Sequence, residues 1–312
     1  MALKVLVITS VILFIVVLLI KRFKYFEPSS LLVETREKYQ EIQHRGLHAR
    51  LLDNPGSERV ALFCHGNSGN ISHMESTIRS LRDIGLSVLA FDYSGYGKSR
   101  GVPSEQQLYS DACSMVALLL GKYPAENIVV YGESMGGPVA TYVALRYGIP
   151  YLILNAPLPS VSKIIASRYP YLAWLGFLFP EFDTAKYLSF YTGKTLLLHS
   201  PDDEIIAYDS VKELCKMCTE HVMIQGLHIE GPLPLDHIRS FIGTWGMPGY
   251  PGPVERKRVS PSPLHKKDED FIAADKFEGP RPGFVFKKDK KGLGYYRDRN
   301  LLGSDGTSHL DF

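Results

Sequence analysis

Asn127-Ile128-Val129-Val130-Tyr131-Gly132-Glu133-Ser134-Met135-Gly136-Gly137 is the stretch on which the fold turns. Its first half is an apolar, β-branched run that reads as a strand over 127–132. Its second half opens a helical pattern over 135–147. Between them lies a G-x-S-x-G centred on Ser134. In a tight strand-to-helix turn of this kind the serine backbone is forced into an unfavourable conformation that presents its hydroxyl above the sheet. The glycines two residues before and after must lack side chains so that helix and strand can pack. A capping serine in a glycine-rich turn is the plainer alternative, and the surroundings discriminate between them.

Outward from that turn, apolar runs at 59–64, 87–92, 151–154, 195–200 and 221–225 read as further strands. They alternate with helical patterns at 74–84, 105–123, 208–217 and 235–245, and Gly85 and Gly148 stand where helix C-caps belong. Strands with so little polar alternation are buried on both faces, as in a mostly parallel sheet flanked by helices. The expected fold class is therefore α/β. Its chemistry belongs in loops at the carboxyl ends of the strands.

A serine hydroxyl is a weak nucleophile until a histidine takes its proton and a carboxylate orients that histidine. Three adjacent acids, Asp202, Asp203 and Glu204, follow the strand at 195–200 and leave the choice open. After the strand at 221–225 comes Gly226-Leu227-His228, a histidine placed to reach back to Ser134. His237 is its rival, but it falls within a helical pattern, where an isolated histidine is more often a surface residue. The tetrahedral intermediate also needs backbone donors. The amide of Met135, next to the nucleophile, is one. The loop Cys64-His65-Gly66-Asn67-Ser68-Gly69-Asn70 supplies the other from the amide of Asn67. Gly66 lets that backbone approach, His65 is read as a brace, and Asp92 with the glycines at 95 and 97 as shaping a neighbouring turn.

The motifs LFCHGNSGN, VLAFDYSGYGKSRG, VVYGESMGG and LLLHSPDDEI together resemble the alpha/beta-hydrolase-domain proteins, in particular the branch of alpha/beta-hydrolase-domain-containing proteins 13 and 17. The resemblance covers residues 47–245. It implies an alpha/beta-hydrolase fold with a short cap insertion and a serine hydrolase activity; the domain 17 group cleaves cysteine thioesters of palmitoylated proteins at membranes. HSPDDEII matches the family's acid loop with Asp203 in the acid position, so the implied triad is Ser134, Asp203 and His228, with Asp202 as the alternative acid. Three features depart from the family pattern. Gly226-Leu227-His228 is one residue shorter than the usual GAGH, the N-terminus is apolar rather than cysteine-rich, and the tail after Gly246 has no counterpart.

The chain has 312 residues, 45% apolar and 22% charged, with a net charge of +2. That suits one sizeable globular domain with appendages and supplies no general field for nucleic acid. Cys64, Cys113, Cys215 and Cys218 lie in apolar or helical contexts, which leans towards a reducing compartment. The CxxC at Cys215 and Cys218 has no second pair. With no zinc cluster, phosphate loop or dinucleotide fingerprint in the sequence, neither a metal nor a cofactor is implied.

Both ends differ from the middle. Val5 to Ile20 reads VLVITSVILFIVVLLI, closed by Lys21, Arg22 and Lys24. As a helix it would reach ~24 Å, a little short of a thin bilayer, so residues 1–24 read as a single-pass membrane anchor. A cleaved signal peptide is the alternative, but no small-x-small site follows Ile20. The flanking Lys and Arg, and a glycosylation sequon at Asn70-Ile71-Ser72 inside an active-site loop, favour a catalytic domain (25–245) facing the cytosol. At about 156–193 a cap insertion carries Tyr169, Tyr171, Trp174, Phe177 and Phe179, too apolar for a bare loop: they are core, acyl-pocket lining or bilayer contacts. Residues 246–312, rich in Pro, Gly and mixed charge, read as a mostly disordered tail, with Phe284, Phe286, Tyr295 and Tyr296 among lysines as a candidate protein-docking segment. The activity these readings predict is hydrolysis of an acyl ester or thioester at a membrane. A serine peptidase of the same fold, and an inactive scaffold acting through its tail, are the alternatives.

Overall fold

A computed structural model describes residues 25–168 and 180–243, together with Thr9, Ser10 and Phe14 and the backbone of 271–273, 284–289 and 292–297; at 165–168 it describes the backbone alone. An eight-stranded sheet forms the centre. Its strands are β1 (Gln40–His44), β2 (Leu47–Leu52), β3 (Val60–Cys64), β4 (Ser87–Phe91), β5 (Ile128–Glu133), β6 (Tyr151–Asn155), β7 (Lys194–His199) and β8 (Glu220–Met223). Across the sheet they run β8-β7-β6-β5-β3-β4-β2-β1. β2 is antiparallel to both its neighbours, and every pairing among β3 to β8 is parallel.

Seven helices accompany the sheet among the described residues: α1 (Glu75–Asp83), α2 (Glu105–Leu120), α3 (Gly136–Tyr147), α4 (Val161–Arg168), α5 (Thr184–Leu188), α6 (Tyr208–Met217) and α7 (Leu235–Ile242). One apolar cluster joins Leu108, Met115, Val139, Val143 and Leu214 to one face of the sheet, and another joins Ile78, Leu81, Ile238 and Phe241 to the opposite face. Strands covered on both sides must be apolar along their whole length. That is why β3 through β6 could be read from composition, and each fully buried Leu, Val or Phe there contributes about 1.5–3 kcal/mol.

The six expected strands and five expected helices form with ends shifted by no more than about three residues, the ordinary uncertainty of element boundaries. Gly148 ends α3 in the left-handed region at φ 63°. The β1–β2 hairpin was not expected. Arg45 (φ 51°) and Gly46 (φ 82°) form its two-residue turn, both in the left-handed region that matches strand twist. β2 is buried along its whole length although it carries His48 and Arg50. His48 Nδ1 lies 2.8 Å from Asp92 Oδ2 and its Nε2 meets Glu41, while Arg50 Nε donates to Glu41 Oε1 at 2.8 Å.

Within the tail expected to be mostly disordered, three short runs are strands. Phe271–Ala273, Phe284–Asp289 and Gly292–Arg297 form a three-stranded antiparallel sheet with the last strand in the middle. The register sets Phe286 opposite Tyr295 and Val285 opposite Tyr296, pairs of strand-favouring residues. Composition averaged over a Pro- and Gly-rich stretch conceals such short local runs. The rest of the tail lies outside the described residues, as do residues 169–179 of the cap and the expected anchor apart from Thr9, Ser10 and Phe14. Among the described residues no helix is long and apolar enough to cross a membrane.

Candidate active site

β5 delivers Ser134 and α3 begins two residues later. Ser134 has φ 51°, a left-handed conformation that costs a non-glycine residue about 1–3 kcal/mol. Backbone bonds hold it there: its N–H donates to the Asn155 carbonyl at 3.0 Å, and its carbonyl accepts from Gly137 at 2.9 Å and Leu158 at 3.0 Å. Crowding explains both flanking glycines. A side chain on Gly132 would come within 2.5 Å of the Gly136 carbonyl oxygen, and one on Gly136 within 2.0 Å of the Cys64 carbonyl oxygen. The N-cap of α3 is Met135, so the capping-serine alternative is excluded.

Ser134 Oγ lies 3.0 Å from His228 Nε2, and His228 Nδ1 lies 2.7 Å from Asp203 Oδ2. Asp203 sits in the turn after β7, 6% exposed, and its second oxygen accepts the N–H groups of Ile205 at 2.9 Å and Ile206 at 2.7 Å. Burial by itself would raise the Asp203 pKa. The hydrogen bond from His228 and those from the two amides outweigh it and hold the carboxyl below the usual range. An ionised Asp203 keeps the proton on Nδ1 and leaves Nε2 free to accept the proton of Ser134. Asp202, by contrast, is exposed, and its N–H donates to Ser200 Oγ at 3.1 Å. His237 lies on α7 with its Nε2 2.8 Å from Glu220, on an exposed face. The two open choices are thereby resolved as an arrangement: Asp203 and His228 are brought to Ser134, and Asp202 and His237 are not.

Glu204, the third of the adjacent acids, takes a different part: its Oε2 accepts the backbone N–H of His228 at 2.9 Å. Adjacent carboxylates thus grip one histidine, Asp203 by the ring and Glu204 by the main chain. Three consecutive acids before a histidine loop were the available signal. Ser200 Oγ ties the same two loops together by donating to the Gly226 carbonyl. Fully buried His199 donates from Nε2 to the Ile206 carbonyl at 2.9 Å and lies 3.8 Å from Asp203 Oδ2. Burial keeps His199 below the ordinary histidine pKa, so it braces the acid turn as a neutral ring.

On the opposite side of Ser134, a side chain at Gly66 would meet the Ser134 Cβ at 3.5 Å, which sets the loop of Asn67 beside that serine. Met135 is buried at the start of α3, where amides point out of the helix. The Asn67 side chain is committed elsewhere: Oδ1 accepts from Tyr96 Oη at 2.9 Å, and Nδ2 donates to the Tyr25 carbonyl at 2.7 Å. His65 packs against Tyr93 with ring centroids 4.3 Å apart and Nδ1 2.7 Å from the Gly66 carbonyl, and burial pushes its pKa down to about 4. It is a neutral brace. Asp92 accepts the Ile71 N–H at 2.9 Å and pairs with His48, holding the same loop from behind. Buried Glu133, immediately before Ser134, is pushed up to about 7 by burial, with Tyr131 Oη donating to it at 3.3 Å. Among the described residues no group of three or more His, Cys, Asp or Glu is placed to hold a metal ion.

Residues 56–193 match the family model described as serine aminopeptidase, S33. The chain is 32% identical over 198 residues to alpha/beta hydrolase domain-containing protein aho-3 of Caenorhabditis elegans, across 60% of this chain and 58% of that protein. It is 30% identical over 181 residues to alpha/beta hydrolase domain-containing protein 17B of Homo sapiens, across 57% and 61%. It is also 30% identical over 198 residues to an uncharacterised Mycobacterium tuberculosis protein, across 60% and 70%. The chain spans less than two thirds of the length of the first two relatives. Among solved structures, the esterase Pf2001 of Pyrococcus furiosus superposes with a TM-score of 0.57 at 20% identity, covering 70% of this chain and 97% of that one, a likeness of fold. Sheet order, strained elbow and these relatives agree: the chain belongs to the alpha/beta-hydrolase family.

Proposed function

We propose that this protein is a serine hydrolase that cleaves an acyl ester or acyl thioester through an acyl-enzyme, with residues 1–24 anchoring it in a membrane. The observation that carries the reading is the relay from Ser134 Oγ to His228 Nε2 (3.0 Å) and from His228 Nδ1 to Asp203 Oδ2 (2.7 Å). In this reading Nε2 takes the Ser134 proton as Oγ attacks the acyl carbon, and the oxyanion rests against the amides of Asn67 and Met135. Collapse of that intermediate expels a thiol or alcohol, which takes the proton back from His228. Water then repeats the sequence and frees the acid.

An acyl substrate is favoured by the apolar cap sequence and by the apolar N-terminus, which would hold the domain close to lipid. A domain facing the cytosol is favoured by Asn70. It is fully buried, and its Nδ2 donates to the carbonyls of Ser29 at 2.9 Å and Leu31 at 2.8 Å, so the folded loop has no room for a glycan. The second reading, a serine peptidase, is favoured by the description of the matched family model. Its amide substrate would use the same relay.

The test is turnover of p-nitrophenyl octanoate, octanoyl coenzyme A and an alanine p-nitroanilide by the full chain in detergent. The acyl reading expects ester and thioester to exceed the anilide by at least about tenfold in kcat/KM, since the pocket that binds the acyl chain sets the discrimination. A preference for the anilide transfers the assignment to the peptidase. Failure to turn over any of the three contradicts both.

A further inference from the structure

The segment between the expected anchor and β1 has no part in the chemistry above, yet it is built into the wall of the site. Glu27–Pro28 pairs in parallel with Ser68–Gly69, directly after Asn67. The Asn67 side chain is held from this segment, with Nδ2 donating to the Tyr25 carbonyl at 2.7 Å and Oδ1 accepting the Glu27 N–H at 3.4 Å. Ser29 continues the contact: its N–H donates to the Gly69 carbonyl at 3.2 Å, and its carbonyl accepts from Asn70 Nδ2 at 2.9 Å and the Gly97 N–H at 3.1 Å. Farther along, the Val33 N–H donates to Ser72 Oγ at 2.9 Å.

The same segment reaches the far end of the cap insertion. Tyr25 stacks on Phe182 with ring centroids 5.8 Å apart and planes 14° apart, and Phe26 meets that ring edge-on at 6.2 Å. Phe182 is fully buried at φ 40°, and its N–H donates to Glu105 Oε1 at 2.7 Å. Residues 25–29 therefore join the Asn67 loop, which borders Ser134, to the far end of the cap insertion.

An oxyanion donor lowers the barrier only if it is in place before charge develops. The loop Gly66-Asn67-Ser68-Gly69 has a composition that confers little stiffness of its own. We propose that residues 25–29 are a positioning element for the oxyanion site: they hold Asn67 by its side chain so that its backbone amide faces the reacting carbonyl, and they tie that donor to Phe182. This rests on the serine-hydrolase reading. The active site is then incomplete without the stretch that leads to the anchor.

The test measures kcat and KM of the full chain on p-nitrophenyl octanoate, with active sites counted by fluorophosphonate labelling, for Asn67→Ala, Glu27→Pro and the double variant. Asn67→Ala keeps the backbone amide and removes the grip; Glu27→Pro removes the N–H that Asn67 accepts. The expected result for Asn67→Ala is a fall in kcat per labelled site of about tenfold to hundredfold with KM within about twofold, because only the charged intermediate needs the donor. Glu27→Pro should lose about threefold or more. The double variant should lose less than the product of the two single losses, because the Glu27 N–H and Asn67 Oδ1 share one contact, while Glu27→Pro also removes the carboxylate that accepts from Ser68 Oγ.

A kcat per site in Asn67→Ala within about twofold of wild type overturns the inference, as do losses that multiply in the double variant. Fewer labelled sites at an unchanged kcat per site would assign the contact to folding alone and overturn it equally. Should Asn67→Ala fail to fold, Glu27→Pro at its exposed position decides by the same criterion. A folded wild type that neither labels nor turns over sinks the hydrolase reading and this inference with it; an active wild type with unaffected variants sinks the inference alone.

Discussion

The two sides of Ser134 are held by different physics. On the histidine side the grips are charged: Asp203 takes the His228 ring, Glu204 takes its main chain, and His199 and Ser200 fasten the loops that carry them. On the oxyanion side Asn67 itself is held by neutral groups, the Tyr25 carbonyl, the Glu27 amide and the Tyr96 hydroxyl, with the Asp92 carboxylate behind the loop. A group that gains and loses a proton is served by nearby charge that favours its protonated form. A donor that must only stay still is served by packing and backbone hydrogen bonds. Substitution of Asp203 should therefore act on charge, and substitutions around Asn67 on geometry.

The largest expected effect is on the relay. His228→Ala should lower kcat by roughly 10⁴-fold or more, and Asp203→Asn by roughly 10³- to 10⁴-fold, as in other serine triads. His237→Ala and Asp202→Asn should stay within about twofold, since surface changes away from the site rarely matter more. Steady-state kinetics on the four variants checks this, and comparable losses at His228 and His237 would break the assignment of the charged side.

Glu204 sharpens the comparison at intermediate size. Removing a positioning hydrogen bond while leaving the base itself intact should cost about tenfold to hundredfold in kcat for Glu204→Ala. Glu204→Gln retains an oxygen for the His228 N–H and should keep most of the activity. If Gln falls as far as Ala, charge rather than the hydrogen bond is what Glu204 contributes.

The smallest expected effect concerns stability. Glu133 has its carboxyl raised from 4.5 to about 7 by burial. A folded-state value above the unfolded one means that Glu133 costs no stability below pH 4.5 and a growing amount as pH rises through about 7. Glu133→Gln removes that loss. Urea unfolding should find the variant more stable than wild type by about 2–3 kcal/mol at pH 8.5 and close to it at pH 4.5. Parallel curves at both pH values would show that Glu133 does not titrate in this range.

The same contrast governs what the sequence made legible. The parallel strands announce themselves because burial on both faces demands unbroken apolar runs, as in Val60–Cys64 and Ile128–Glu133. β2 does not, because His48 and Arg50 interrupt it and only their partners, Glu41 across the hairpin and Asp92 beyond β4, make their burial tolerable. Ser134, an acid after β7 and a histidine after β8 were legible from chain order and residue type, since their chemistry requires those side chains. The choice of Asp203 over Asp202 rested on family likeness until burial and hydrogen bonding separated them. The hold of residues 25–29 on Asn67 was not legible, because a backbone carbonyl looks the same at every position in a sequence. The tail strands were hidden by averaging over Pro, Gly and charge.

Everything proposed for this site depends on Ser134 acting as a nucleophile activated by His228. The most direct measurement is mass-spectrometric mapping of the adduct formed when the folded full chain meets a fluorophosphonate, with Ser134→Ala and His228→Ala alongside. The account predicts one adduct per chain, located on Ser134, absent in Ser134→Ala and formed at least about a hundredfold more slowly in His228→Ala. A folded wild type that remains unmodified, or carries its adduct on another residue, would contradict it.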